Sequence, residues 1–210
     1  MYTFLYRNRS KQFMAILLGA QGYKLLENYK IPVAKYQIVS EKDLSKLKFP
    51  LVLKAISEKI IHKTEAGAVQ ICQTEKETHT AFTKLKKLGS VLAQEFVAGQ
   101  QVIIGTKRDA TFGQTIMFGL GGIFVEIFRD VSFRVCPITE EDADEMINEI
   151  KAKQLLLGFR GQKAVNLKLL KDTLVKVGRL ASKENPAEMD INPFIINDKT
   201  GAAVDIRIIK

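Results

Sequence analysis

The sequence predicts an α+β protein of two lobes, and three observations carry that reading. Short apolar or alternating runs are mixed with stripes of helical period, without the strict alternation of βαβ units. Side-chain caps mark the starts of three helices, and glycine-rich or polar turns separate most other elements. The turn at Gly99 splits two strand-like runs, and the lobe break falls just after Phe96. This gives an N-terminal extension over 1–16, a small lobe over 17–96 and a large lobe over 97–210.

Taken in order, Leu18, Leu25, Leu26 and Tyr29 have helical spacing, diluted by Gly19 and Gly22 and ended at Ile31-Pro32. Val33 to Val39 alternates as a strand. Leu51-Val52-Leu53-Lys54-Ala55 is a compact strand with one lysine inside it, and Val69 to Cys72 is its neighbour or hairpin partner. Thr74 and Glu77 form a capping box for a helix running towards Leu88, where Gly89 stops it. Strands follow at Val91 to Val97, Val102 to Thr106 and Thr115 to Phe118, the last entering Gly119-Leu120-Gly121-Gly122. Thr139 and Asp142 cap a helix with Ala143, Met146, Ile147 and Ile150 on one face. Asn166 caps another, striped by Leu167, Leu170, Leu174, Val177 and Ala181. Two closing strands, 189–196 and 202–208, flank the turn from Asn197 to Gly201.

The 210 residues are 46% apolar, enough for a sizeable core, and 26% charged without a long polar tract, which excludes wholesale disorder. A net charge of +9 suits a polyanionic ligand. The basic residues are dispersed and lack an aromatic-interleaved cluster, so nucleic-acid binding is only weakly signalled. Cys72 and Cys136 are far apart and outside any CxxC pair, which argues against a disulfide framework and fits the cytoplasm. Arg7, Arg9 and Lys11 before the run Phe13 to Leu18 superficially resemble a signal peptide, but the cleavage-site match is loose. The run is also too short to cross a membrane.

Four features could carry chemistry. Lys54 within an apolar strand is either a solvent-facing lysine on an edge strand or a phosphate ligand aimed into a cleft. The glycines after Phe118 make a tight turn or an anion-binding nest, and match neither GxGxxG nor the Walker pattern. Asp190 and Asn192 share a strand face, as do Asp205 and Arg207 on the returning strand. The hairpin thus offers oxygen ligands suited to Mg²⁺, or is simply a solvated edge. His62 lies in a polar connection: a solvated loop histidine, or a nucleophile towards phosphorus.

Several segments together resemble the ADP-forming acyl-CoA synthetases, in their ATP-grasp part. They are Leu25 to Val33, Phe49 to Lys54, Ile61 to Gly67, Gln94 to Val97, Phe118 to Glu126, Asp130 to Arg134 and Met189 to Pro193, in the family's order from residue 17 onward. The resemblance implies an ATP-grasp fold with the nucleotide between two α+β lobes. It also implies interconversion of acyl-CoA, ADP and phosphate with acid, CoA and ATP through a phosphohistidine relay. By that match His62 carries the phosphoryl group between a partner's histidine and the nucleotide. Lys54 neutralises nucleotide phosphates, while Glu95, Phe96 and Val97 read adenine and ribose. Asn192 and Asp205, with Asp190 beside them, hold Mg²⁺. Arg134, Gly121 and Gly122 hold the travelling phosphoryl group. The implied partner is an α-type CoA-binding subunit in an α2β2 heterotetramer. Glu65 and Ala68 depart from the family's usual aspartate and glycine. The alternatives are the β subunit of succinyl-CoA synthetase, another ATP-grasp ligase such as a carboxylate–amine ligase, a nucleotide-sensing module, or a basic nucleic-acid-binding protein.

Overall fold

Burial with period two along the strands and 3.6 along the helices sorts the chain onto two antiparallel sheets. A computed structural model describes residues 4–7, 13–56, 67–122, 125 and 127–210. The chain divides into two units, one of 18–20 and 34–97, the other of 1–17, 21–33 and 98–210. Residues 21–33, placed by sequence in a contiguous small lobe over 17–96, thus group with the C-terminal half.

The smaller unit is built on strands β3 (Tyr36–Val39), β4 (Leu51–Ile56), β5 (Val69–Cys72) and β6 (Ser90–Glu95), in the order β3-β6-β4-β5. Its apolar core joins Leu51, Leu53 and Ala55 from β4 to Ala81, Phe82 and Leu85 of helix α2 (Glu75–Leu85). The Thr74 hydroxyl caps α2 by accepting the Glu77 N–H. The Glu77 carboxylate accepts from Gln73 at 2.7 Å, one residue earlier than a capping box requires. Ala68, where a glycine was expected, is fully buried in this core. Its carbonyl accepts the Ala55 N–H at 2.9 Å and its φ is not left-handed, so the methyl fits without backbone strain.

The larger unit carries β1 (Phe4–Arg7), β2 (Phe13–Leu18), β7 (Gln100–Asp109), β8 (Gly113–Leu120), β9 (Val131–Val135), β10 (Glu188–Ile196), β11 (Gly201–Ala203) and β12 (Arg207–Ile209). Their order is β1-β2-β12-β10-β7-β8-β9, with β11 also on β10. The apolar run at 13–18 is therefore a sheet strand that spans the boundary expected at residue 16. One sheet face packs against α3 (Glu140–Glu149) and α5 (Leu167–Glu184); α4 (Gln154–Leu157) is a single turn between them. Both longer helices start as their caps predict: Thr139 and Asp142 form a reciprocal box, and Asn166 accepts the Leu169 N–H at 3.0 Å. Helix α1 (Ala20–Asn28) approaches Ile206 so closely that a Cβ on Gly22 would lie 2.7 Å from its Cγ2, which explains a glycine inside a helix. Among the described residues no helix is long and apolar enough to cross a membrane.

Candidate functional site

Side chains along β4 take alternate sheet faces. Leu51, Leu53 and Ala55 face α2, which leaves Val52, Lys54 and Ile56 on the opposite sheet face. β4 lies between β6 and β5, so the reading of Lys54 as an edge-strand lysine fails. Lys54 is only 8% exposed, and its ammonium donates to Gln94 Oε1 at 2.7 Å. Gln94 is opposite Val52 across the ladder, hence on the same face, and its Nε2 donates to the Ala34 carbonyl at 3.4 Å. A lysine kept on the face turned away from the apolar core suits a ligand for anionic oxygen.

The three proposed hinge residues follow directly. Glu95 and Lys35 bond twice: the Glu95 N–H donates to the Lys35 carbonyl, and the Lys35 N–H to the Glu95 carboxylate, each at 2.9 Å. The Phe96 N–H reaches the Pro50 carbonyl at 3.4 Å; Phe96 is exposed and Val97 half-buried. Beside them is a cavity of about 330 Å³ lined in part by Tyr36, Leu51, Gln94 and Glu95. That is within the range of small-molecule pockets.

In the larger unit, cross-strand register decides which residues share a face. Arg207, Asp190, Gly105, Met117 and Phe133 form one row across β12, β10, β7, β8 and β9. The next row, Ile208, Met189, Thr106, Ile116 and Arg134, points to the helical side. Arg134 is therefore on the opposite sheet face from Asp190. Its guanidinium donates to Glu149 at 2.6 and 3.0 Å and to Glu145 at 2.9 Å, which holds its pKa above the usual arginine range. In this arrangement Arg134 pins β9 to α3, on the sheet face away from Asp190. Arg134→Met is expected to lower stability by about 1 kcal/mol, since both acids are well exposed, and to leave nucleotide affinity within twofold of wild type. Thermal melts and nucleotide titration of the same preparation check it.

Asp190 occupies the other face with Asn192 two residues on, before a register shift between Ile191 and Phe194. Burial first, and then the charges of Glu188 and Asp205, push the Asp190 carboxyl up to about 6 against the opposing charge of Arg207. Asp205 follows the end of β11, its carboxylate accepting the Ile206 N–H at 2.9 Å. Two buried or half-buried carboxylates close enough to repel, with an amide oxygen beside them, fit a hard divalent cation. Among the described residues no three of His, Cys, Asp and Glu gather as a metal cluster, so the set stays sparse.

The glycine loop is closer to a turn than to an open nest. The Gly121 N–H is spent on the Gln101 carbonyl at 2.8 Å. Gly122 has φ +67 with open space where a Cβ would stand, and its carbonyl accepts from Val125. Gly119 is fixed by packing, since a Cβ would approach Val125 and the Asp130 carbonyl at about 3 Å. His62 and its segment lie outside the described residues. Sequence reading missed Gln94, whose link to Lys54 spans 40 residues. It noted Arg207 without seeing that this arginine, not Arg134, shares the row of Asp190.

The ATP-grasp domain model matches residues 9–209. The chain is 40% identical to the β subunit of ADP-forming acetate–CoA ligase I from Pyrococcus furiosus, over 92% of this chain and 91% of that one. It is 37% identical to the Archaeoglobus fulgidus ADP-forming acetate–CoA ligase I over 92% of its own length, but spans only 31% of that longer protein. A structure of acetyl-coenzyme A synthetase 1 from Candidatus Korarchaeum cryptofilum matches with a TM-score of 0.83 and 42% identity over 92% of both chains. That structure holds coenzyme A and Mg-AMPPCP, with its phosphohistidine segment pointing towards the nucleotide-binding site. Fold, length and sequence agree: the chain belongs to the ATP-grasp family, among the β subunits of ADP-forming acetate–CoA ligases.

Proposed function

We propose that this chain is the nucleotide-binding β subunit of an ADP-forming acyl-CoA synthetase, acting with an α-type CoA-binding subunit in an α2β2 assembly. The observation that carries the reading is Lys54: an ammonium in an interior strand, turned from the core and held by an amide. In the ATP-forming direction the partner loads His62 with a phosphoryl group. With the second ring nitrogen of the phosphohistidine protonated, a terminal oxygen of the ADP β-phosphate attacks phosphorus, the N–P bond breaks with its electron pair returning to the ring, and neutral imidazole leaves as ATP forms. Lys54 offsets the charge on the nucleotide phosphates, and Glu95, Phe96 and Val97 hold the nucleoside. Asp190, Asn192 and Asp205 would hold Mg²⁺, which supplies charge neutralisation at the phosphates. Gly121 and Gly122 shape the turn at the end of β8. The free cysteines Cys72 and Cys136 accord with a cytoplasmic enzyme.

The test is reconstitution. Mixed with an α-type subunit of this family, the chain should give acid-, CoA- and ATP-dependent release of ADP and phosphate, with no activity from either subunit alone. A chain that binds nucleotide yet stays inactive with every α-type subunit it binds would instead favour a sensing role.

A further inference from the structure

We propose that Gln94 is a positioning residue for Lys54, a neutral acceptor that aims the ammonium at the nucleotide phosphates without neutralising it. The proposal rests on the reading of Lys54 as a phosphate ligand. Gln94 is 2% exposed and both ends of its amide are used. Nε2 donates to the Ala34 carbonyl, so Oε1 must face Lys54, which has only donors to offer. The backbone at Ala34 thus fixes the amide's orientation, and the amide in turn helps to orient the lysine. The amide is also distinct from its neighbour on the ladder. Glu95 points to the opposite sheet face, where its carboxylate is engaged by the Lys35 N–H.

The choice of an amide has an electrostatic consequence. A carboxylate at position 94 would meet the ammonium at the same 2.7 Å as an ion pair and compete with an incoming phosphate for its charge. It would also face the Ala34 carbonyl with an acceptor where a donor is needed. An apolar side chain would remove this one hydrogen bond without adding a negative charge beside the ammonium. Two roles therefore predict opposite orders. If Gln94 merely supports the fold, Gln94→Met, which loses both hydrogen bonds, is the worse substitution. If it positions a phosphate ligand, Gln94→Glu is the worse one for nucleotide.

The experiment titrates Mg-ATP into the purified chain by calorimetry for wild type, Gln94→Glu, Gln94→Met, Lys54→Met and the double variant Lys54→Met/Gln94→Glu, with thermal melts of each. Gln94→Glu is expected to weaken binding about tenfold or more, Gln94→Met by less, and the double variant to bind no worse than Lys54→Met alone. Wild-type affinity in Gln94→Glu, the reverse order of the two Gln94 variants, or an equal loss when Lys54 is already absent would each overturn the proposal. Wild-type affinity in Lys54→Met would instead remove the phosphate-ligand reading beneath it.

Discussion

Replacing Lys54 by methionine is expected to weaken nucleotide binding by roughly a hundredfold or more, the loss of about 3 kcal/mol typical of removing one member of a buried charged contact. Methionine keeps the length and apolar stem of lysine, so the core side of β4, with Leu51, Leu53 and Ala55, is untouched. The fold should survive, and the far-ultraviolet circular dichroism should not change. Affinity should fall because the phosphates then face the amide of Gln94 and a thioether in place of an ammonium. Direct titration with ADP and ATP checks it, and a loss confined to AMP binding would contradict a phosphate role.

The second large effect concerns the acidic hairpin. Asn192→Ala and Asp205→Ala should each raise the Mg²⁺ concentration for half-maximal activity by at least the tenfold to hundredfold that even outer-shell partners of metals cost when removed. Asp190 adds a pH signature. Its folded carboxyl titrates near 6, above that of an ordinary aspartate, so the metal-free fold disfavours the charged form. The sign follows: this group lowers stability as pH rises from about 4 to about 6, and the deficit is complete above that. Asp190→Asn should therefore stabilise the metal-free protein above pH 6 by roughly 3 kcal/mol, in proportion to that shift, while diminishing the stabilisation that Mg²⁺ and nucleotide confer. Melts across pH with and without Mg²⁺ read both effects. A metal-free Asp190→Asn variant no more stable than wild type at pH 7 would count against a buried, disfavoured charge at this position.

What was legible in the sequence was mostly local. Thr139 with Asp142 and Asn166 announce their helices because a cap is satisfied within three residues. The stripe of Leu170, Leu174, Val177 and Ala181 needs only the helical period. Lys54 stood out because a charge inside an apolar run is costly wherever that run lies. Non-local facts were lost. The face that Arg134 occupies is not readable from the sequence, because strand side chains reverse face with every residue and one register step separates it from the row of Asp190. The strand at 13–18 crosses the boundary that the sequence suggests at residue 16, because a short apolar segment has no distinctive period and one of its two neighbouring strands, β12, lies at the far end of the chain. Gln94 enters the sequence reading only as the first residue of the segment Gln94 to Val97, and its link to Lys54 emerges from the pairing of β4 with β6. For the site, composition and spacing supplied only candidates; their roles came from the family pattern, and His62 depended on it entirely.

His62 is also where the account is most exposed. Incubated with Mg²⁺ and γ-labelled ATP, the wild-type chain should acquire label that is labile in acid and stable in base, as expected for a phosphoramidate, while His62→Ala acquires none. Label that survives in His62→Ala at the wild-type level would contradict the relay.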